Sequence, residues 1–164
     1  MRFGEEIQEM LWESFVSGPG TEPTRWFQDG LRFACQQCGN CCSGAPGYVW
    51  VYADEIRRIA AHLGLSVNEF GRRHVRQVGA RHSLLERPGG DCEFLERVAG
   101  GKTRCQIHEV RPVQCRTWPF WGSNLTSAEE WEHAARGCPG IGRGERYPLT
   151  VIQAALKENG QRPL

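Results

Sequence analysis

Four cysteines fall within eight residues, in the run Cys35-Gln36-Gln37-Cys38-Gly39-Asn40-Cys41-Cys42. A thiolate every third residue lets the backbone curl until the sulfurs converge, as soft metal ions and iron–sulfur clusters require. Four more cysteines follow at wide intervals, Cys92, Cys105, Cys115 and Cys138. Eight thiols suit one large cluster, or two tetrahedral centres with four ligands each.

An even number of cysteines also allows a disulfide framework. Such frameworks belong to small secreted chains that cannot build a core. This chain has 164 residues, enough for one domain with its own core, so 1–164 is read as a single domain. The first ten residues, Met1 to Met10, carry three acids and no apolar run, unlike a secretory signal. No stretch of about 18 apolar residues occurs, so no membrane helix is expected. A cytoplasmic setting follows, in which thiols stay reduced. Adjacent Cys41 and Cys42 cannot pair with each other without strain. A lone CxxC could be a thioredoxin-type redox pair, but CxxCxxCC is too dense for that reading. The expectation is metal or cluster ligation.

The charge balance is even, 20 basic against 19 acidic residues. It speaks against a general nucleic-acid surface. Arg72, Arg73 and Arg76, with His74, make a local basic patch, read as a solvated helix face over an anion or RNA site. Metal ions are the partners expected, and no protein partner is indicated. The 20 glycines and six tryptophans suit a loop-rich domain in which metal centres replace part of the usual core. Metal binding is then expected to be coupled to folding.

Periodicity places a short amphipathic helix over Glu5–Phe15 and a possible tight hairpin about Asp29-Gly30. Tyr48–Tyr52 reads as a strand, and Asp54–Leu63 as a helix closed by Gly64. The capping box Ser66-Val67-Asn68-Glu69 opens a helix to about Val75. Residues 79–91 read as irregular, with a short strand at Ser83–Glu86. A β-hairpin is expected from Cys92–Glu96 and Thr103–Ile107 around Gly100-Gly101-Lys102. A turn centred on Gly100-Gly101 puts Cys92, Phe94, Cys105 and Ile107 on one face. It also sets Cys105 opposite Glu96, roughly 13 Å along the strand from Cys92, too far for one mononuclear site without a bulge. A second capping box, Ser127-Ala128-Glu129-Glu130, opens a helix to Gly137, and Pro148–Glu158 is the last helix.

Cys35, Cys38 and Cys41 have the spacing of three corners of a cubane in bacterial ferredoxins, whose remote fourth cysteine precedes proline. Cys138-Pro139 can fill that place. Zinc knuckles also use CxxC, so zinc stays open. Side chains of neighbours in extended chain point apart, so Cys41 and Cys42 are expected to face different centres or different irons. His108 has CxxH spacing from Cys105. With eight cysteines available, hydrogen bonding around the ligands is preferred to ligation. Arg111 lies in the same segment, and Arg116 directly follows Cys115. Both are expected around the ligands, Arg116 offsetting thiolate charge or stacking on tryptophan. His62, His74, His82 and His133 read as surface residues. No Gly-rich phosphate loop, GxSxG elbow or HExxH motif occurs. Asp54-Glu55 and Glu129-Glu130 suit helix starts better than acid–base catalysis.

With these residues the chain resembles the CxxCxxCC family of zinc- or iron-chelating domains, also called the YkgJ-type cysteine cluster family. The match runs through Cys35-x-x-Cys38-x-x-Cys41-Cys42 and Cys92-Glu93-Phe94-Leu95. It continues in Cys105-Gln106-Ile107-His108-Glu109-x-Arg111-Pro112-x-x-Cys115-Arg116-x-Trp118-Pro119-Phe120. It covers about residues 26 to 140. The family often has tyrosine at the place of His108, which argues against a general ligand role there. The resemblance implies metal or cluster binding. Flagellin lysine methylases are similar in carrying CxxCxxCC, which implies an iron–sulfur centre. Nothing here identifies a methyl donor site, and methyl transfer is not carried over.

The expectation is an α+β, small, loop-rich single domain, with short helices and a β-hairpin around a cysteine-ligated metal centre. An iron–sulfur cluster, 4Fe-4S first, or two metal centres would serve a redox or metal-handling role. One alternative is a structural zinc domain mediating protein or RNA interaction. Another is a cluster-dependent enzyme with an open coordination position.

Overall fold

The computed structural model describes residues 25–160. The helix expected over Glu5–Phe15 lies outside them. Among the described residues the fold is α+β, with five α-helices and three small antiparallel sheets.

The first half is built on helical and strand signals the sequence carries openly. Helix α1 (Ala53–His62) follows strand β2 (Trp50–Val51). Asp54 and Glu55 sit in its first turn, where the helix dipole favours them. Helix α2 (Val67–His74) is capped by Ser66, whose Oγ accepts from Glu69 N at 3.2 Å. Such a cap contributes about 1 kcal/mol. Strands β3 (Val75–Val78) and β4 (Arg81–Leu84) follow as a hairpin, and β2 adds to the other edge of β4. Trp50 stands opposite Ser83, and Val75 opposite Leu84. The strand expected at Ser83–Glu86 thus starts two residues earlier and gains a partner. Val51, Ile59, Ala60, Phe70, Leu84, Phe94 and Ile107 form the first apolar cluster.

His74 departs from its surface reading. It is only half-buried, yet its Nδ1 lies 3.0 Å from Glu93 Oε2. Its ring stands between Phe70 and Phe94, at 5.1 and 5.3 Å.

The cysteine-bearing hairpin forms, but shorter and in another register. Strand β5 (Leu95–Arg97) pairs with β6 (Thr103–Cys105), and Cys105 faces Leu95 instead of Glu96. Ahead of β5 the chain turns, with Leu95 N donating to Cys92 O at 3.0 Å. Cys92 is therefore folded back and does not continue the strand. The long separation from Cys105 that an extended strand demands disappears. Cys92 and Cys105 still pack on the cluster that holds Phe94 and Ile107.

The hairpin expected at Asp29-Gly30 does not form. Strand β1 (Leu31–Phe33) pairs with β7 (Ile141–Tyr147) across more than a hundred residues, with a bulge between Arg32 and Phe33. Strand β7 contains Gly142, Gly144 and three charged residues, so it lacks the apolar alternation that signals a strand. A four-residue helix α3 (Val113–Arg116) also has no length to show periodicity. Helices α4 (Ala128–Gly137) and α5 (Leu149–Gly160) complete the fold, α4 capped by Ser127. Phe27, Phe120, Leu125, Trp131 and Ile152 form a second apolar cluster. The domain thus has more core than its glycine content suggested. No helix of the described residues is long and apolar enough to cross a membrane.

Candidate metal centre

The cysteine run leaves β1 and is pinned to β6. Gln37 O accepts from Thr103 N at 3.0 Å and from Thr103 Oγ1 at 2.7 Å. Gln37 has φ 52° and Gly39 φ 78°, so the backbone doubles back within three residues. A Cβ on Gly39 would stand 2.7 Å from Thr103 Cγ2, so this approach also needs glycine. Residues Asn40–Cys42 make one 3-10 turn, with Cys42 N donating to Gly39 O at 2.8 Å. That turn corrects the expectation for the adjacent cysteines. The segment is not extended, and the Cys41 and Cys42 sulfurs stand 3.7 Å apart.

Three more thiols reach this pair. Cys92 N donates to Cys42 O at 2.7 Å, which joins the run to the turn before β5. Cys105 ends β6, and Cys115 lies on α3. Cys42, Cys92, Cys105 and Cys115 each feel the charge of other thiols in the group, and Cys41 is tied to it by the Cys42 hydrogen bond. The thiol hydrogen bond from Cys42 holds Cys41 down to about 7, against burial that opposes it. Donating that bond, burial, and the nearby Cys41, Cys115 and Cys92 all push Cys42 far up. Burial pushes Cys92 up to about 11, with Cys105 adding to it. Burial likewise raises Cys105, and raises Cys115 strongly with help from Cys92, Cys105 and Cys41.

Cys138 is buried and accepts from Trp118 Nε1 at 3.4 Å. Its segment touches both ends of the run. Asn40 Nδ2 donates to Gly137 O at 3.0 Å, and Ala34 N to Gly140 O at 3.0 Å. A Cβ on Gly140 would lie 2.4 Å from Ala34 O. Cys35 is exposed and Cys38 half-buried. Among the described residues no hydrogen bond joins either to the five. No group of three or more His, Cys, Asp or Glu among the described residues is already arranged to hold a metal ion.

Of the two arginines, Arg111 serves the thiols. Its Nε donates to His108 O at 3.1 Å, and its charge lowers Cys41, Cys105 and Cys115. Arg116 instead donates to Glu158 of α5. His108 is exposed and contributes its carbonyl. The supports that sequence reasoning missed are Thr103, Asn40 and Trp118. Only Trp118 carried a signal, as an aromatic three residues after Cys115.

A cleft of ≈ 480 Å³ opens on Cys41, lined by Trp118, Glu130, His133 and Arg136 among others. The group is therefore reachable from solvent. The donor set fits a soft, thiophilic cation. Holding four half-buried thiols beside the exposed Cys41 is costly while they must ionise near one another, and a bound cation offsets both partial burial and mutual repulsion.

Thiols from four separate segments, two of them packed on the first apolar cluster, characterise a cysteine-rich metal-chelating domain. The chain belongs to the CxxCxxCC family, described as "putative zinc- or iron-chelating domain", whose model matches residues 34–139. It is 34% identical over 94 residues to the "Uncharacterized protein MJ0661" of Methanocaldococcus jannaschii, covering 57% of this chain and 48% of that protein. The chain spans about half the length of that relative. No solved structure matches.

Proposed function

We propose that this protein holds an iron–sulfur cluster, 4Fe-4S in type, on its gathered thiolates and serves in redox or metal handling. The observation that supports this is the meeting of Cys41, Cys42, Cys92, Cys105 and Cys115. A 4Fe-4S cluster and a tetrahedral ion each take four thiolates, so the cluster reading leans on the cubane spacing of Cys35, Cys38 and Cys41, and a fifth thiol leaves room for a second centre. Bound there, such a cluster supplies one-electron transfer at a potential set by charge and hydrogen bonds around the sulfurs. The chain's part is to gather the thiols, hold Arg111 beside them and leave an approach at Cys41. Cys35, Cys38 and Cys138 are the remaining ligands of the proposed set of eight.

One observation favours a second reading, a structural zinc domain. Cys92 and Cys105 pack on the first cluster, while Cys138 follows the helix that carries Trp131 of the second. A metal there would cross-link the two cores. Anaerobic purification with iron, zinc and acid-labile sulfide analysis separates the readings. Sulfide equal to iron, with broad visible absorption, supports the cluster. Colourless, zinc-loaded protein without sulfide overturns it.

A further inference from the structure

The sheet of β2, β4 and β3 turns Val51, Val75 and Leu84 to the first apolar cluster. Strand alternation puts Trp50, Arg76 and Arg81 on its other face. There the rings of Tyr48 and Trp50 stack at 4.8 Å with 15° between planes. Arg76 lies over Tyr48, 4.8 Å from the ring centroid, and Arg81 over Trp50 at 3.7 Å. Two cations thus flank an aromatic pair.

The two cations differ in their partners. Arg76 is ion-paired with Glu86 at 3.0 Å and donates to Gly47 O. The Arg81 side chain has no acidic partner and no hydrogen bond among the described residues. Its only holder is the indole, which fixes the guanidinium plane without using its five donors. A cation kept in place and left unneutralised is arranged for an anion from outside the chain.

Arg81 lines a cleft of ≈ 300 Å³ with Trp50, Tyr52, Gln114, Trp121, Ser123 and Asn159, and none of its lining residues is acidic. That volume lies near the lower end for small-molecule sites. Gln114 is spent on structure, accepting from Trp50 N at 2.9 Å and donating to Tyr48 O at 3.0 Å. Trp121 is fixed by its Nε1, which donates to Gln114 O at 2.9 Å. The side chains of Ser123 and Asn159 have no partner among the described residues. The cleft therefore offers one rigid indole wall at Trp121, one fixed cation and two free polar groups.

We propose that this cleft binds a nucleoside monophosphate, with its phosphate on the Arg81 fork and its ring against the Trp121 indole. Asn159 and Ser123 supply the donors and acceptors for the ring edge. The site uses none of the cysteines, so its failure and the failure of the metal reading are separable.

The test is calorimetric and tryptophan-fluorescence titration of the full chain, as purified with its metal. The probes are AMP, GMP, CMP and UMP, each against its nucleoside and against inorganic phosphate. At least one monophosphate should saturate and quench tryptophan, about tenfold more tightly than its nucleoside or phosphate alone. Arg81→Gln should weaken that binding about tenfold or more, the loss of one charge-assisted contact. Arg81→Lys keeps the charge without the fork and should weaken it less. Arg57→Gln, on the exposed side of α1, should change nothing. Saturation by none of the four overturns the proposal, as does unchanged affinity in either folded Arg81 variant. An oligouridylate binding about tenfold tighter than every mononucleotide would also overturn it, in favour of a strand-binding surface.

Discussion

The buried carboxylate of Glu55 accepts a hydrogen bond from the backbone N–H of Val113 at 2.8 Å. Its other oxygen accepts from Tyr52 N at 3.0 Å. One side chain thereby ties the start of α1 to the start of α3, two residues before Cys115. The tie positions a thiol by joining segments 58 residues apart.

Glu55→Ala leaves the Val113 N–H buried and unpaired. Loss of a charged acceptor costs about 3 kcal/mol. Glu55→Gln keeps one carbonyl acceptor and should cost about half as much. Urea unfolding midpoints of both variants measure this. A Glu55→Ala midpoint equal to that of the wild type would show the tie to be dispensable.

The five gathered thiols predict how serine substitutions sort. Serine at Cys41, Cys92, Cys105 or Cys115 should each lower the same metal signal by more than half. Serine at Cys35 or Cys38, the outlying and more accessible members of the proposed set, should lower it by clearly less. Metal content and absorption spectra of the single variants decide it. Equal losses in Cys35→Ser and Cys115→Ser would merge all the cysteines into one centre.

Much of this was legible before any coordinates. Helices α1, α2, α4 and α5 announce themselves through apolar spacing, and Ser66 and Ser127 through their capping boxes. The β5–β6 hairpin announces itself through Gly100-Gly101. What stayed hidden depends on long-range pairing. Leu31–Phe33 gives no sign that its partner is Ile141–Tyr147, because glycines and charges blur that strand. The site divides in the same way. The cysteines stand out by spacing, but the turn that folds Cys92 back toward Cys105 has no glycine or proline within it. The choice of Arg111 over Arg116 likewise depends on where Glu158 falls, 42 residues further on.

The two arginines now predict opposite outcomes. A positive charge beside thiolate ligands favours the reduced, more negative state of a cluster. Arg111→Gln should therefore lower the reduction potential while metal content is kept. Arg116→Gln removes only a partly exposed ion pair with Glu158 and should cost less than about 1 kcal/mol, with no change in potential. Redox titration of both variants checks this. A lowered potential in Arg116→Gln alone would reverse the assignment.

Metal removal should loosen the seam where the cysteine-bearing segments join before the apolar cores themselves. The sequence suggested a large loss of secondary structure on chelation, from a chain whose metal centres replace part of its core. The two apolar clusters alter that expectation, because Ile59, Phe70, Leu84 and Ile152 are almost fully buried, with thiols packed only around the first cluster. Each such side chain contributes about 1.5–3 kcal/mol. Without the metal, however, the thiols at the seam carry burial and mutual repulsion that nothing offsets. Chelation should therefore lower the melting temperature while much of the helical signal survives. Amide exchange should speed up in 37–42, at Cys92 and in 137–140, and least in α1. Complete loss of helical signal on chelation would show that the two clusters cannot stand without the metal. An unchanged melting curve would remove the metal from the folding argument altogether.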